Sequence, residues 1–108
     1  MRIVYFEPGK DPAIRDVENA LEECQKLVGG YIETVYPFSS NDVILVCNED
    51  GRFMELKPNR HIGTGQFSET ILGPFFLVGS DDEGNLCSLS EECADWLVRN
   101  EQIYSRQL

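Results

Sequence analysis

The sequence has few of the residues from which metal sites and common catalytic motifs are built. Histidine occurs once in 108 residues, at His61, and the four cysteines contain no Cys-x-x-Cys pair. These counts exclude zinc-finger and zinc-ribbon spacing, and they leave a serine-type triad only one histidine as its base. No apolar run approaches the roughly 18 residues that a membrane-spanning helix needs. We therefore predict no metal, no cofactor, no catalytic residue and no membrane association.

A secretory signal is also not expected. The first residues, MRIVYFEPGK, carry one Arg and a short apolar run that ends at Glu7 and Pro8. Such a run is too short for the apolar region of a signal peptide. We therefore predict a cytoplasmic protein whose cysteines (Cys24, Cys47, Cys87 and Cys93) stay reduced. Cys24 and Cys47 fall within apolar patterns, so we expect both to be buried.

Positive charge is the other scarce feature. Nineteen acidic residues against nine basic ones give a net charge of −10, which repels nucleic acids and anionic membranes. Two interpretations of the acidity stay open: simple solubility, or mimicry of nucleic-acid phosphate that captures a basic groove on a partner. Apolar residues make up 42% of the chain, which is enough for one folded domain spanning residues 1–108.

The first third of the chain predicts a strand and a helix. Residues 2–6, RIVYF, are β-branched and aromatic, which is typical of a strand. Asp11 suits an N-cap, Pro12 the first helical position, and Gly29 the left-handed residue after the last turn. Between them the apolar residues recur at spacings of three and four: Ile14, Val17, Leu21, Cys24, and Leu27 or Val28. This spacing predicts an amphipathic helix over 12–28.

The middle of the chain predicts a hairpin. Residues 31–36 and 43–49 have strand-like patterns, and Asp50-Gly51 is the pair that a type I′ turn requires because both central positions need positive φ. We therefore predict that 43–49 pairs with 52–57. The expected core face comprises Val43, Leu45, Cys47, Met54 and Leu56. The opposite face, which is mixed and expected to be partly covered, carries Ile44, Val46, Phe53, Glu55 and Lys57.

The last third predicts a loop, an interrupted strand and a helix. Residues 59–69 have no period, and Gly73-Pro74 interrupts a strand over 70–79. Ser88-Leu89-Ser90-Glu91 offers a capping box. The helix that follows has one face formed by Cys93, Trp96, Leu97, Asn100 and Tyr104. The whole order is β-α-β-β-β-β-α, which predicts an α+β fold with a mostly antiparallel sheet of about five strands and two helices.

Six stretches, taken in order, resemble the family catalogued as domain of unknown function 3846. They are EPGK (7–10), LVGGYIE (27–33), LVCNEDGR (45–52), PNR (58–60), GPFFLVG (73–79) and SLSEE (88–92). The sequence departs from the family at Pro74 and in the 61–70 segment. The resemblance implies an origin in phages or mobile elements and, with it, partner binding in host–phage conflict. Because the family has no assigned activity, it implies no catalytic residue.

One group of residues suggests a binding site. Lys57, Asn59, Arg60 and His61 place positive charge together in an otherwise acidic chain, with no acid until Glu69. Arg60 has a planar fork that binds carboxylate or phosphate with two hydrogen bonds, and Asn59 offers a donor and an acceptor. A structural role stays open, with Arg60 paired to an acid and Asn59 bonded to backbone groups of a turn.

From the sequence we predict a non-enzymatic protein that binds a protein partner. One alternative is a small-ligand or nucleotide-binding module that uses the corner from Lys57 to His61. The other alternative is a hydrolase, for which the sequence contains no motif.

Overall fold

Every strand pairing described in this protein is antiparallel. The computed structural model describes residues 1–65, 67–100 and 104–106. Over these residues the elements follow one another as β1 (Arg2–Phe6), β2 (Ala13–Asp16), α1 (Leu21–Val28), β3 (Ile32–Val35), β4 (Val43–Asn48), β5 (Pro58–Gly63), β6 (Ser68–Leu72), β7 (Phe75–Ser80), β8 (Leu86–Cys87), α2 (Glu91–Arg99) and β9 (Tyr104–Arg106).

The strands form two sheets. The larger sheet has the order β2-β1-β7-β4-β3, with the short strand β8 beside the end of β7, and the smaller sheet has the order β6-β5-β9. Two helices and mostly antiparallel sheets define an α+β fold, which confirms the predicted class. The observed strand number and element order differ from the predicted five strands and the predicted order β-α-β-β-β-β-α, because several segments expected to be helix or loop form strands.

The central strands β7 and β4 of the larger sheet are buried on both faces. Helix α1 covers one face through a cluster made of Ile3, Cys24, Leu27, Val28, Ile44, Val46, Phe76 and Val78. The smaller sheet and α2 cover the other face, where the cluster includes Val4, Phe6, Val43, Leu45, Cys47, Ile62, Ile71, Phe75, Leu77, Leu97 and Tyr104. Both faces of β4 are therefore core, including the face that the sequence predicted to be only partly covered.

The predicted helix over 12–28 begins too early. Residues 13–16 form β2, which pairs with β1 and extends the larger sheet. All four side chains of β2 are exposed, so no apolar stripe is buried there to stabilise a helix. The helix begins at Leu21, after Ala20, which makes no side-chain capping bond. Its predicted end is confirmed, since Gly29 has φ 80° in the left-handed region.

The predicted type I′ hairpin at Asp50-Gly51 is also wrong. The amide of Met54 donates to the Asp50 carbonyl at 3.0 Å, and the amide of Leu56 donates to the Gly51 carbonyl at 3.0 Å. Residues 49–56 are therefore successive turns, and 52–57 does not pair with β4. Glu55, not Gly51, has a positive φ, of 54°. The cause lies at Asn48, whose Oδ1 accepts from the Asp50 amide at 2.7 Å and closes a local turn instead.

The region after Pro58 is the third correction. The segment 59–69 was predicted to be a loop, but its first residues, 59–63, belong to β5 in the centre of the smaller sheet, between β6 and β9. The predicted interruption at Gly73-Pro74 is confirmed, since it separates β6 from β7 and the two strands belong to different sheets. Gly73 has φ 77°, which lets the chain turn from one sheet into the other.

The second helix is shorter than predicted. The Ser90 hydroxyl accepts from the Cys93 amide at 3.0 Å, so Ser90 is the N-cap, and Asn100 is the C-cap. Leu97 is buried as expected. Tyr104 lies in β9, not on the helix, and its ring meets Phe6 edge-on at 5.1 Å between centroids. The predicted continuation through 101–103 lies outside the described residues.

Candidate functional site

The four residues predicted to form a binding corner do not share one surface. Lys57 is exposed just before β5, whereas Asn59 and Arg60 are buried, with 0% and 1% of their surfaces accessible. His61 is half-buried. Because side chains of neighbouring strand residues point to opposite faces, Arg60 and His61 lie on different sides of the smaller sheet. The corner is a contiguous stretch in sequence but not in space.

The Arg60 guanidinium is enclosed by backbone and side-chain carbonyls. Its Nη1 donates to Asn59 Oδ1 at 2.8 Å, and its Nη2 donates to the Lys10 carbonyl at 2.6 Å. The centre of the guanidinium lies 5.5 Å from the centroid of the Phe6 ring, within the range of a cation–π contact. This geometry gives Arg60 a structural role: the guanidinium ties β5 to the segment after β1. The structural alternative had expected an acid as its partner, and the acceptors at these distances are carbonyl oxygens.

Asn59 completes the same network. Its amide nitrogen donates to the carbonyls of Phe6, at 3.0 Å, and Gly73, at 2.9 Å, while its oxygen accepts from Arg60. A buried asparagine with both ends of its amide bonded contributes to stability because neither group is left unsatisfied. Asn59 therefore joins β1, β5 and the crossing between β6 and β7.

His61 takes part in a cluster of hydroxyls on the outer face of the smaller sheet. Its Nδ1 lies 3.0 Å from Thr70 Oγ1, and its Nε2 lies 3.2 Å from Ser68 Oγ. Both hydroxyls belong to β6, so the pairing of β5 with β6 brings them to the ring. Lys57 and Arg60 are not among these contacts.

A second region has the shape of a binding surface, and the sequence did not predict it. Tyr31 and the turns at 49–56 expose large apolar side chains: Phe53 is 90% accessible, Tyr31 69% and Met54 50%. Single exposed apolar residues are ordinary, but aromatic and methionine side chains gathered at one place are typical of protein interfaces. We call the group of Tyr31, Glu49, Arg52, Phe53 and Met54 the 49–56 surface.

Two cavities adjoin the 49–56 surface. One has a volume of about 320 Å³ and is lined by Arg52, Phe53 and the edge strands β3 and β6. The other, of about 330 Å³, is lined by Tyr31, Asp50, Met54 and the end of α1. Phe53 and Met54, which are neighbours in sequence, thus line different cavities. An interface at this surface would engage both.

The first cavity is negatively charged. It is lined by three acids, Glu33, Glu49 and Glu69, and by one base, Arg52, so its formal charge is +1 − 3 = −2. Cys47 also lines it, and burial together with the charges of Glu33 and Glu69 raises the pKa of that thiol to about 12. A positively charged group is therefore favoured in this cavity over an anion.

The backbone at this surface is held in place by Asn48. Its Oδ1 accepts from the Asp50 amide, and its Nδ2 donates to the Val28 carbonyl at the end of α1 at 3.1 Å and approaches the sulfur of Met54 at 3.6 Å. From the sequence, Phe53 was expected on a strand that pairs with 43–49. The run of polar residues from Asn48 to Arg52 was the only signal that this segment forms turns.

Metal-ligand clusters and membrane-spanning helices are both absent from the described ranges 1–65, 67–100 and 104–106. No group of three or more His, Cys, Asp or Glu side chains lies close enough together there to hold a metal ion. Neither helix in these ranges has the length and apolar character to cross a membrane.

The fold and these surfaces define a small acidic α+β protein with two antiparallel sheets. The sequence matches the family described as domain of unknown function (DUF3846) over residues 1–102, so the chain belongs to that family. No curated protein and no solved structure matches the chain. The family assignment confirms the resemblance seen in the sequence and carries no activity with it.

Proposed function

We propose that this chain is a non-enzymatic, cytoplasmic protein of phage or mobile-element type that acts by binding a protein partner in host–phage conflict. The observation that carries the proposal is the 49–56 surface, where Phe53 is 90% accessible beside an acidic cavity. Burying a fully exposed aromatic ring is among the largest single contributions to a protein interface.

The surface is also preorganised. The hydrogen bonds of Asn48 and the turn bonds from Met54 and Leu56 fix the backbone that carries Phe53. A side chain on a fixed backbone loses less conformational entropy on binding than one on a loose segment. This supports recognition through Phe53 and Met54 as anchors.

Charge sets the chemistry of the partner. The chain carries −10 overall, and the cavity beside Phe53 carries −2. Such a field attracts a basic protein surface and repels nucleic acid directly. The partner that fits is therefore a protein with a basic surface. This choice favours the mimicry interpretation of the acidity over simple solubility.

The proposal is tested by site-specific photo-crosslinking in cells that naturally carry the gene. Benzoylphenylalanine replaces Phe53 in one variant and Trp96 in the matched control, because Trp96 is 51% accessible on α2, away from the 49–56 surface. We expect a discrete protein crosslinked from position 53 and not from position 96. That protein is then purified and titrated against wild type, Phe53→Ser and Trp96→Ser.

Loss of the Phe53 ring should weaken binding by about tenfold or more, because anchor residues typically contribute at least that much. Trp96→Ser should bind like wild type. A crosslinked partner that binds Phe53→Ser as well as wild type, or no crosslink from position 53, contradicts the proposal.

A small-ligand or nucleotide-binding function at Lys57, Asn59, Arg60 and His61 is the first alternative. Its geometric support is weaker, since the Arg60 guanidinium already donates to carbonyl oxygens inside the protein. An incoming anion would have to displace those carbonyl acceptors from the Arg60 guanidinium, or bind to Lys57 and His61 without help from Arg60.

A hydrolase is the second alternative, and one observation favours it. The Ser68 hydroxyl, the His61 ring and the Thr70 hydroxyl follow one another at 3.2 and 3.0 Å, in the order nucleophile, base and orienting group. Thr70 is neutral, however, and cannot stabilise an imidazolium as the usual carboxylate does. Labelling by a fluorophosphonate that is lost in Ser68→Ala would establish this alternative; we expect no labelling of the wild-type protein.

A further inference from the structure

The strand β6 is an open edge of the smaller sheet. Among the described residues it pairs with β5 alone, while the other side of β5 is occupied by β9. An edge strand presents a row of backbone donors and acceptors on which another chain can add a strand.

The register shows which backbone groups face outward. The Thr64 amide donates to the Phe67 carbonyl at 2.8 Å, so these two residues form a hydrogen-bonded pair of the hairpin. Bonded and non-bonded pairs alternate along an antiparallel ladder. Ile62 therefore bonds Glu69, whereas the backbone groups of Ser68 and Thr70 point away from β5, toward the open edge.

The two faces of this edge are different. The side chains of Ser68 and Thr70 contact His61 on the outer face. Glu69 and Ile71 point to the other face, where both line the acidic cavity. A Cβ at Gly51 would lie 3.4 Å from the Leu72 carbonyl oxygen, so the turns at 49–56 close the far end of the edge.

The acidic cavity lies along the same edge. Its lining includes the consecutive β6 residues 69–72, together with Glu33 of β3, Arg52 and Phe53. Its volume of about 320 Å³ is many times the space that a single water needs. The cavity therefore has room for side chains of an added strand, and its lining is acidic.

We propose that the partner adds an extended, basic segment to β6 as an antiparallel strand, with alternate Lys or Arg side chains directed into the acidic cavity. This deepens the proposed function and rests on it. The antiparallel direction follows every other described pairing in the protein. Phe53 at the cavity rim packs against the aliphatic stem of a basic side chain, and its ring face attracts the charged group.

The charge argues against a second copy of the chain as the occupant. Two chains of −10 repel each other, and each would direct acids into the acidic cavity of the other. A basic segment satisfies both the backbone edge and the charge. Pairing of two β6 edges remains a distinguishable result, since it would give a dimer.

The register makes a sharp prediction for a model peptide. In an antiparallel pair, peptide residues opposite Ser68 and Thr70 form backbone hydrogen bonds with β6, and their side chains lie on the outer face of the sheet. Peptide residues opposite Glu69 and Ile71 direct their side chains into the cavity and their backbone amides away from β6. In the probe acetyl-Val-Lys-Val-Lys-Val-Lys-amide, lysines in the cavity therefore require that the valines bond to β6. Methylating the valine amides should abolish binding, and methylating the lysine amides should not.

The experiment is an NMR titration of the full chain with four peptides: the probe, its two N-methylated forms, and a control in which Glu replaces Lys. We expect shifts at Ser68–Leu72 and Phe53, and slower hydrogen exchange of the Thr70 amide. N-methylation of the valines should weaken binding by about tenfold or more through the lost hydrogen bonds. The glutamate peptide should not bind, and added salt should weaken binding of the probe peptide.

A protein variant gives an independent readout. Thr70→Pro removes one outward donor and keeps the pairing with β5, because that amide does not bond to β5. The variant should no longer bind the probe peptide and should keep the NMR spectrum of a folded protein. If the variant does not fold, the N-methylated peptides alone decide whether a strand is added at β6.

Any one of four results would overturn strand addition at β6. They are equal binding of both N-methylated peptides, binding of the glutamate peptide, shifts confined to β3, and a concentration-dependent dimer in place of peptide binding. Failure of the proposed function looks different. If a basic partner crosslinks at Phe53 but these peptide results are negative, the partner binds by another mode. If the peptides behave as expected but no protein crosslinks at Phe53, the edge binds strands and the partner assignment is wrong.

Discussion

The side-chain oxygen of Asn48 accepts a 2.7 Å hydrogen bond from the backbone amide of Asp50. This bond stops β4 and begins the turns that carry Phe53. The other end of the same amide donates to the Val28 carbonyl, one of the carbonyls left without a partner at the end of α1. One asparagine thus connects the central strand, the helix end and the 49–56 surface.

Replacing this asparagine should therefore cost stability. We expect Asn48→Ala to lower the free energy of unfolding by about 1–3 kcal/mol, because buried backbone groups lose their partners. Asn19→Ala is the control, since the Asn19 amide bonds the Leu86 carbonyl at an exposed position. Urea denaturation measures both variants. An Asn48→Ala midpoint no lower than that of Asn19→Ala would show that the amide does not organise this region.

The crossing between the two sheets gives a second prediction. Gly73 and Gly65 both have positive φ, of 77° and 84°, but a Cβ at Gly73 would lie 2.6 Å from Leu56 Cδ1, whereas nothing lies within 4 Å of one at Gly65. Gly65→Ala should cost about 1–2 kcal/mol from backbone strain alone. Gly73→Ala should cost about 2–4 kcal/mol because crowding is added.

The comparison of the two alanine variants by thermal or urea unfolding separates strain from crowding. Equal losses at the two glycines would mean that Leu56 moves aside without cost and that the crossing is looser than the structure shows.

Local patterns predicted the fold class but not the pairing of strands. The strand at 2–6, the end of α1 at Gly29 and the interruption at Gly73-Pro74 follow from propensity and backbone geometry, which are properties of a few neighbouring residues. The assignment of 13–16 to a strand depends on β1, which needs a neighbour at the sheet edge. Tertiary pairing of this kind overrides a helical spacing, and one sequence does not reveal it.

The candidate sites illustrate the same limit. Lys57, Asn59, Arg60 and His61 are adjacent in sequence, but strand alternation separates Arg60 from His61, and the loop prediction concealed that alternation. Phe53 was placed on a strand because Asp50-Gly51 satisfies the rule for a hairpin turn. The competing bond from Asn48 to Asp50 is made by a side chain, and the two-residue turn rule does not consider it.

Cys47 should make stability fall at high pH. Burial and the nearby carboxylates raise the pKa of its thiol from 9.0 to about 12. Below pH 9 the thiol is protonated in both the folded and the unfolded chain, so the stability that it contributes through its raised pKa is fully present. Between pH 9 and 12 the unfolded chain loses the proton first, so stability is lost progressively, by up to about 1.4 kcal/mol per pH unit.

The measurement is the difference in unfolding free energy between wild type and Cys47→Ala from pH 7 to pH 11. The difference should be constant up to about pH 9. Above that pH the unfolding free energy of wild type should fall relative to that of the alanine variant. A constant difference across the whole range would mean that the thiol is not shielded as the structure indicates. Alkylation by iodoacetamide at pH 8 should likewise spare Cys47 in the folded protein and modify all four cysteines in urea.

The last prediction concerns Arg60, where the two interpretations of the corner give opposite results. The guanidinium bonds Asn59 Oδ1 and the Lys10 carbonyl with two different nitrogens, and it lies over the Phe6 ring. A lysine has one charged nitrogen and no plane, so it does not reproduce this arrangement. We expect Arg60→Lys to lower the free energy of unfolding by about 1–3 kcal/mol, and Arg60→Ala by more, because buried carbonyls lose their donor.

An NMR titration of the wild type with nucleotides and dicarboxylates, repeated with Arg60→Lys, separates the interpretations. If the corner is structural, no ligand shifts a set of resonances over 57–65, and urea denaturation shows the loss of stability in both variants. If the corner binds anions, shifts cluster over 57–65, weaken with salt, and disappear in Arg60→Lys while its stability stays at the wild-type value. The depth of Arg60, with 1% of its surface accessible, favours the first result, since an anion must enter the protein to reach the fork.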